Sequence, residues 1–434
     1  MVAGRLRALR PRGPLWQRPD YVHLWSAATV SQLGSQVSLL ALPFVAIATL
    51  RATTFEVAAL GVAESVPLIL IALPAGVWLD RIPQRRPIMM ACDAGRAVAL
   101  ASIPAAYASG VLTIWQLFAV GFVTGILTVF FDVASTSFLP SVLERELLAE
   151  GNAGLQVSSQ GAQVAGPGLS GALIGALGAP YAVLADSISF VCSAAFISRI
   201  AHVEERVVDT KRRSMWADIR EGLAFVLGHP ILRPNLAFTF TANIFNSILF
   251  AVFLLFAVRH LGMSAREIGL VFVLANVGSL SGAFLVTRLQ RRLGLGRVML
   301  VTAFSGWPLL LIPFASGSTG IVLLAAGLLG WGTGAVIYNT TSVTISQAMT
   351  PDRLMARASA SRRLVSWATI PAATLIGGAL GTYLGLRTTV FIGAGGRALA
   401  GLIILWSPVR SIRTLEDADA LVAASGQAQA SPSQ

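Results

Sequence analysis

Ionisable side chains inside long apolar stretches are the residues of this sequence that could do chemistry. They are Glu64, Asp93, Asp132, Asp186, Arg96 and Arg397. A charge in a hydrocarbon layer is costly, so each is a functional candidate or half of a structural pair. Glu64 lies well inside its stretch, where a carboxyl group could bind a proton or a cationic solute, or could simply pack near the interface. Asp93 and Arg96 are spaced i, i+3 and can pair with each other.

Amide and indole side chains form a second candidate group, within which two pairs have i, i+3 or i, i+4 spacing and so share a helix face. The group consists of Gln32, Gln36, Asn243, Asn246, Trp331 and Asn339. In a mostly apolar cavity such groups would suit a large amphipathic organic solute. Hydrogen bonding between helices is the alternative for any single amide. A dedicated anion site would need a buried Arg or Lys on a cavity helix, and none is evident in the sequence.

Metal and cofactor chemistry is not indicated. The four histidines include no i, i+4 pair, which excludes a His-Glu-x-x-His zinc helix. Cys92 and Cys192 are isolated in apolar stretches, which predicts core thiols. The single lysine, Lys211, follows Val-Val-Asp-Thr and cannot belong to a phosphate-binding loop. We expect no metal, no cofactor and no enzymatic activity, because a membrane enzyme would need clustered His, Asp or Glu side chains at a membrane edge.

The elements that must position these groups are membrane helices. Of 434 residues, 55% are hydrophobic and only 12% are charged, with a mean hydropathy of +0.72. Twelve apolar runs are long and continuous enough to span a bilayer as helices rather than strands. They cover residues 24–50, 56–79, 87–109, 112–133, 154–178, 180–200, 235–258, 268–287, 297–315, 320–341, 364–384 and 388–408. The predicted fold class is an all-α membrane protein with twelve transmembrane helices.

The placement of basic residues predicts the orientation. Of the 32 Lys and Arg residues, 26 fall in the tails and in the loops on one side, four in the opposite loops and two within runs. Because cytoplasmic loops carry an excess of Lys and Arg, both termini are predicted to be cytoplasmic. The net charge of +12 is spread between the runs. It therefore indicates lipid headgroups and topology rather than nucleic acid.

An internal repeat predicts two halves. Residues 131–138 and 338–345 align with an offset of 207, which also pairs Gly178 with Gly385; chance similarity of Ala/Gly/Leu-rich helices is the alternative. The predicted organisation is a basic cytoplasmic tail (1–20), an N-terminal six-helix bundle (21–200), a cytoplasmic linker with an interfacial helix (201–234), a C-terminal six-helix bundle (235–409) and a disordered cytoplasmic tail (410–434).

One loop combines glycine and charged residues: Gly76-Val-Trp-Leu-Asp80-Arg81-Ile-Pro-Gln-Arg85-Arg86. An aspartate at a helix end can face the positive N-terminus of another helix, and the arginines can bridge to acids or lipid phosphates. The loop resembles the signature between helices two and three of major facilitator superfamily (MFS) transporters, with a proline where a glycine is usual. The stretches 130–140 and 351–357 are similar to the bacterial enterobactin-exporter-like and macrolide-efflux-like branch, and the resemblance covers residues 21–409.

The resemblance implies the MFS fold of two pseudo-symmetric six-helix bundles, and a gate built from the loop. The gating residues would be Gly76, Asp80, Arg81, Arg85, Arg86 and Asp132, with Asp132 paired to Arg81 or Arg85. Helix two of the family borders the central cavity, which makes Glu64 the candidate for proton coupling. Asp186 and Arg397 would lie on peripheral helices and are expected to pack. The arginine that the family places early in helix four is absent here.

A glycine-rich segment of the fifth run resembles the family's antiporter motif. It reads Gly161-Ala-Gln-Val-Ala-Gly166-Pro167-Gly168-Leu-Ser-Gly171, with a serine in place of one usual glycine. Proline removes a backbone hydrogen bond and kinks a helix, while glycines allow close packing. Kinked glycine-rich helices are common in membranes, so a purely structural role is the alternative.

Together these features predict a secondary transporter of the bacterial inner membrane. We expect a proton-coupled exporter of a drug-like or natural-product molecule, of antibiotic or siderophore type, that works by alternating access. Its partners would be a small-molecule substrate, protons and the lipid bilayer, without nucleic acid, and it would act as a monomer. An importer or uniporter of a small metabolite, and a permease subunit with a separate ATPase, stay open as alternatives.

The orientation can be tested by cysteine labelling in intact cells. The Ser316→Cys variant should react with a membrane-impermeant reagent, because the charge distribution places that loop outside. The Ser214→Cys variant should not react. The reverse pattern would contradict the twelve-span topology.

Overall fold

The computed structural model describes residues 13–79, 82, 84–201, 215–414 and 416–417, and the regular structure in these ranges is helical. The first helices are α1 (Pro19–Phe44), α2 (Thr54–Leu79), α3 (Arg86–Ala108), α4 (Ile114–Val142), α5 (Leu148–Leu177), α6 (Ala179–Ser198) and α7 (Met215–Gly228). They are followed by α8 (Leu232–Leu255), α9 (Ala265–Leu293), α10 (Leu295–Ala303), α11 (Gly320–Ala348), α12 (Asp352–Tyr383), α13 (Leu386–Leu399) and α14 (Gly401–Leu405).

Short segments of other helical types extend several of these helices. Val45–Thr49 and Phe256–His260 are π-helical continuations of α1 and α8. Phe304–Phe314 continues α10 as a 3-10 helix, in which Pro308 and Pro313 remove two of the donors that an α-helix would use. The remaining 3-10 turns are Pro14–Gln17, Arg145–Leu147, Gly317–Thr319 and Pro408–Ser411.

Eleven helical stretches in the described part of the chain are long and apolar enough to cross a membrane. Every apolar run predicted from the sequence lies mostly on helical residues. The largest difference in bounds is at α12, which was predicted to begin at residue 364 and begins at Asp352. Of the two predicted tails, residues 1–12 and the residues beyond 417 lie outside the described part of the chain. The stretch 202–214 of the predicted linker also lies outside it.

The chain divides into two compact units. The first unit comprises Met1–Ala52 and Ala63–Thr210, and the second comprises Thr53–Val62 and Lys211–Gln434. In the first unit α1 packs on α5 and α6, and α3 packs on α4 and α6. Tyr21 fixes one of these contacts, because its hydroxyl donates to the Gly151 carbonyl at 3.0 Å. The core of this unit includes Leu24, Met89 and Phe138, all almost fully buried.

In the second unit α9 packs on α11, and α8 packs on both α12 and α13. Its core includes Phe238, Tyr338 and Ile404. The helix predicted in the linker, α7, packs directly on α12: the Ser361 hydroxyl donates to the Ile219 carbonyl at 2.9 Å, and Glu221 forms an ion pair with Arg357. These contacts tie α7 to α12 by side-chain bonds.

Helix ends obtain their missing hydrogen bonds from side chains. The Ser264 hydroxyl and the Glu267 carboxylate form a reciprocal capping box at the start of α9. His229 Nδ1 accepts hydrogen bonds from the backbone N–H groups of Ile231 and Leu232, 3.2 and 3.3 Å away, at the start of α8. Burial lowers the pKa of His229, which favours the neutral imidazole that this acceptor role requires.

The backbone repeats where the sequence predicts an internal repeat. Gly178 and Gly385, which the offset of 207 residues pairs, have φ values of +83° and +86° and precede α6 and α13. This left-handed region costs glycine little, so both positions allow an abrupt turn between consecutive helices. Two positions that the repeat pairs therefore share one backbone conformation.

Large apolar side chains remain exposed on the surface, as lipid contact requires. Trp115, Phe284, Tyr383 and Trp406 are each at least 75% exposed. Trp115, Tyr383 and Trp406 lie at or just beyond helix ends, where aromatic side chains of membrane proteins meet the headgroup layer.

The α9–α11 contact depends on glycine and provides a test of the packing. A Cβ atom on Gly282 would lie 2.5 Å from the carbonyl oxygen of Thr333, and backbone cannot move aside as a side chain can. Gly282→Ala should therefore destabilise the protein by about 1–3 kcal/mol, the usual cost of overpacking. Thermal unfolding of the purified protein in detergent measures this effect.

Gly395→Ala is the matched control, because no atom lies within 4 Å of its Cβ position and the gain in helix propensity is the same. It should leave the unfolding temperature unchanged or raise it. Equal stability of the two variants would contradict the close α9–α11 contact.

Candidate functional site

The first unit contains a cavity of about 340 Å³, here named the first-unit cavity, with charged groups set in mostly apolar walls. Five helices line it: α1, α2, α3, α4 and α6. Its ionisable side chains are Glu64, Arg96, Asp132 and Asp186. Ligand pockets usually measure roughly 300–1,000 Å³, so this volume accommodates a small organic group.

Glu64 enters the first-unit cavity from α2, one turn before Pro67 interrupts the backbone bonding of that helix. Gly125 of α4 faces it so closely that a Cβ there would lie 2.7 Å from the Glu64 carbonyl oxygen. Its Oε1 is buried and has no hydrogen-bond partner among the residues that the structure describes. This oxygen can accept a proton or a donor group of a ligand.

Arg96 is held by several groups at once. Its guanidinium forms an ion pair with Asp93 one turn earlier on α3 and donates to the Thr128 hydroxyl of α4 at 3.4 Å. The guanidinium carbon lies 4.5 Å and 4.1 Å from the ring centroids of Phe131 and Phe190. Asp93 and Arg96 are almost fully buried. The ion pair and the two aromatic rings together stabilise the Arg96 guanidinium away from water.

Asp132 and Asp186 both line the first-unit cavity. Asp132 was expected to pair with Arg81 or Arg85. Arg81 lies outside the described residues, Arg85 donates from Nη1 to the Ser137 carbonyl at 3.3 Å, and Asp132 shares the cavity with Arg96. Asp186 was expected to pack on a peripheral helix. It is almost fully buried, accepts a hydrogen bond from the Ser189 hydroxyl at 3.1 Å and lines the first-unit cavity. Three carboxyl groups therefore surround this cavity.

The predicted gating loop is described only in part, since Asp80 and Arg81 lie outside the described residues. Gly76 lies in α2, and no atom is within 4 Å of its Cβ position. Arg86 begins α3 and donates to the carbonyl oxygens of Ile197 and Ser198 at the end of α6, from Nε to Ile197 at 3.1 Å. A cation at the negative end of a helix is stabilising, so Arg86 caps α6.

The antiporter-like segment lies in α5 and faces α1. A Cβ on Gly166 would collide with the Gln36 side chain, and the Ser170 hydroxyl donates to the Val37 carbonyl at 3.0 Å. Pro167 lies inside the helix between them. Gly171 is buried and Gly168 is half-buried, whereas Gly161 has no atom within 4 Å of its Cβ position. The segment thus builds a tight α1–α5 contact.

The second unit contains a larger and more polar cavity of about 560 Å³, here named the second-unit cavity, lined mainly by α8, α11 and α12. Two predicted substrate residues line it: Asn243, which donates to the Ser366 carbonyl at 3.2 Å, and Asn339. Arg362 and Arg363 of α12 also line it. Arg362 is half-buried and Arg363 is exposed, whereas the expectation from the sequence concerned a buried Arg or Lys on a cavity helix.

The other predicted substrate residues line neither cavity. Gln32 has a buried Oε1 without a hydrogen-bond partner in the described ranges, and the same holds for Oδ1 of Asn246. Gln36 contacts Gly166, and Trp331 packs against Phe250 with ring centroids 5.4 Å apart. The structure therefore gives Gln36 and Trp331 packing partners within their own units.

Sequence reasoning missed Arg362 and Arg363 because it assigned them to a loop. The helical pattern that could have found them was present, since Leu354, Ala358 and Ser361 recur at i, i+4 and i, i+7 and are all buried. The low hydropathy of the first turns of α12 masked this pattern.

The two units, each built from apolar helices around a polar cavity, can be compared with known proteins. Residues 24–366 match the model of the Major Facilitator Superfamily. The chain belongs to this superfamily. Its members are transporters that bind small molecules within a membrane, so this MFS protein is a multi-pass membrane transporter and not an enzyme.

The MFS chain is similar along most of its length to a characterised relative. It is 26% identical over 415 residues to the multidrug efflux pump Tap of Mycolicibacterium fortuitum, covering 92% of this chain and 96% of that protein. Among solved structures it resembles a mutant form of the nucleoside transporter NupG, with a TM-score of 0.71 at 11% identity, covering 89% of this chain and 99% of that one.

A bacterial homologue of the iron transporter ferroportin in an inward-facing state is also similar, with a TM-score of 0.69 at 17% identity, covering 89% of this chain and 98% of that one. At these identities the structural likenesses establish the fold of this MFS transporter and leave its substrate open.

The buried pair in α3 gives a testable consequence. Asp93→Asn and Arg96→Gln should each strongly lower the thermal stability of the purified protein, because removing one partner of a buried ion pair costs about 3–5 kcal/mol. The double variant removes both charges and should be less destabilised than the sum of the single changes. Additive losses in this double-mutant cycle would show that the two side chains do not interact.

Proposed function

We propose that this MFS transporter exports a drug-like or natural-product molecule and couples that export to the proton gradient. The likeness to a multidrug efflux pump over 92% of the chain supports the direction of transport. The cavities support the chemistry of the substrate, because apolar walls with a few polar groups suit an amphipathic organic molecule.

The proposed architecture has twelve transmembrane helices in two six-helix bundles, with both termini in the cytoplasm of a bacterial cell. Besides the eleven apolar stretches described above, α5 would be the remaining span. It is a 30-residue helix about 45 Å long at 1.5 Å per residue. Its polar first half explains why it is less apolar than the other spans. The equal conformations of Gly178 and Gly385 support a repeated construction, and alternating access would follow from movement of one half against the other.

The observation that carries the proton coupling is the position of Glu64. Its Oε1 is buried without a hydrogen-bond partner in the part of the chain that is described, inside a cavity that also contains Asp132 and Asp186. A carboxyl group that can alternate between protonated and ionised states inside the membrane can move one charge across it. Each such charge is worth about 2.3 kcal/mol per 100 mV of membrane potential.

The signature loop would act as the gate of this transporter. Arg85 and Arg86 bind the carbonyl oxygens of Ser137 near the end of α4 and of Ile197 and Ser198 at the end of α6. These bonds hold the start of α3 to two other helix ends. Asp80 and Arg81 would complete the charge network with Asp132 in the closed state. The Gly166–Gly171 segment would support the same cycle by keeping α5 close to α1.

The proton-coupling hypothesis predicts a clean loss of function at one position. In proteoliposomes with an imposed pH gradient, Glu64→Gln should abolish gradient-driven transport of fluorescent dyes while leaving dye binding and counterflow exchange intact. Glutamine keeps the size of the side chain and removes its titration, so coupling alone should fail. Rhodamine 123 and fluorescein, tested in parallel, cover a cationic and an anionic substrate.

Glu56→Gln is the matched control on the same helix. Glu56 is half-buried, lies outside both cavities and caps the start of α2 by accepting from the Thr53 backbone N–H at 2.6 Å, so its change should leave transport near normal. Unchanged proton-driven transport in Glu64→Gln would remove Glu64 from the mechanism. Transport that needed ATP rather than the gradient would overturn the secondary-transporter proposal.

A further inference from the structure

The second-unit cavity has an unusual charge balance. Arg362 and Arg363 line it from α12, and among the described residues no acidic side chain lines it. The other polar lining groups are amides and hydroxyls of α8, α11 and α12. Buried or partly buried charges are normally paired. With one half-buried and one exposed cation and no acidic lining group among the described residues, the cavity can accept an anion.

The arginines of α12 show which charges are already satisfied. Arg357 forms an ion pair with Glu221 of α7, and Arg353 is exposed in the first turn. Arg362 is half-buried and Arg363 is exposed, and neither has a hydrogen bond or ion pair to a residue that the structure describes. Each guanidinium offers five N–H donors in a planar fork that matches the oxygens of a carboxylate or phosphate.

The opposite wall of the cavity is held rigid. Asn235 of α8 is buried, and its amide group donates to the Ser342 hydroxyl at 2.7 Å and accepts from the Tyr338 hydroxyl at 2.8 Å. The Thr239 hydroxyl donates to the Asn235 carbonyl at 2.9 Å. These bonds keep the wall in one conformation, so a ligand that enters the cavity does not have to order it.

One large apolar surface lies beside the arginines. Trp367 is 41% exposed, and the guanidinium carbon of Arg363 lies 5.5 Å from its ring centroid. The indole restrains Arg363 by a cation–π contact and leaves ring surface for an aromatic or aliphatic part of a ligand. The cavity volume of about 560 Å³ suits an organic molecule and far exceeds what a single inorganic anion needs.

We propose that the second-unit cavity is a binding subsite for the anionic group of an amphipathic organic substrate, with Arg362 and Arg363 holding its carboxylate or phosphate oxygens and Trp367 packing against its apolar part. This inference rests on the proposed transport function and specifies the substrate class. A phospholipid headgroup presents the same phosphate chemistry, so the test must separate a soluble solute from a lipid.

Two dyes that share a xanthene ring system but differ in charge provide the probe. Fluorescein is anionic and rhodamine 123 is cationic, and fluorescence anisotropy reports their binding to the purified full-length protein in dodecyl maltoside. Arg362→Gln and Arg363→Gln should each weaken fluorescein binding about 10-fold or more, as expected for a lost charge-assisted hydrogen bond. Rhodamine 123 binding should stay the same or become tighter.

Three controls make the result decisive. Arg353→Gln removes one positive charge from the same helix outside the cavity and should leave fluorescein binding within about twofold. Arg362→Lys keeps the charge without the fork and should fall between the wild type and Arg362→Gln. Thermal unfolding of every variant should match the wild type, and an equal loss of both dyes would attribute the effect to misfolding and overturn the proposal.

Competition identifies the source of the anion. If phosphatidylglycerol displaces fluorescein from the wild type at a lower concentration than unlabelled organic carboxylates do, the site belongs to a lipid headgroup and the substrate proposal is wrong. Fluorescein binding that is insensitive to both arginines would also overturn it. The binding assay uses no proton gradient, so a result that overturns the anion subsite does not contradict proton-coupled efflux. In the same way, the transport result for Glu64→Gln does not test the anion subsite.

Discussion

The absence of water in the membrane interior is the constraint on which the rest of this structure depends. Every charge placed there must find its partners within the protein. Within the described ranges, each unit has one almost fully buried arginine and solves the problem differently. Arg96 uses Asp93 and two phenylalanine rings, whereas Arg397 donates to the Ala303 carbonyl at 3.1 Å and the Ser305 hydroxyl at 3.0 Å, beside the Phe238 ring.

The same constraint shows which polar groups have been left for ligands. Where partners are complete, as around Arg397 and Asn235, the groups fix helices in place. Partners are missing among the described residues at Glu64 Oε1 and around Arg362 and Arg363, which line cavities, and also at Gln32 and Asn246, which line neither cavity. An unsatisfied polar group in a membrane protein costs free energy, so its retention at a cavity favours a function over a packing role.

The sequence predicted the helices well because long apolar runs have only one favourable structure in a bilayer. It also paired Gly178 with Gly385, which share one backbone conformation. It failed where a helix begins in polar residues, as at Arg362 and Arg363, since hydropathy cannot distinguish a loop from a helix that lines a polar cavity. It did not indicate that Asp186 lines the first-unit cavity, because the direction of a side chain around a helix depends on neighbours that one run does not reveal.

The small number of cavity residues explains how one fold can carry unlike solutes. The helices pack through glycines such as Gly166 and Gly282, and through backbone-directed hydroxyls such as Ser170, none of which depends on a substrate. The chain therefore keeps the fold of the NupG and ferroportin-homologue structures at 11% and 17% identity. Substrate choice is then left to the few side chains that face each cavity, since function resides in the site rather than in the fold.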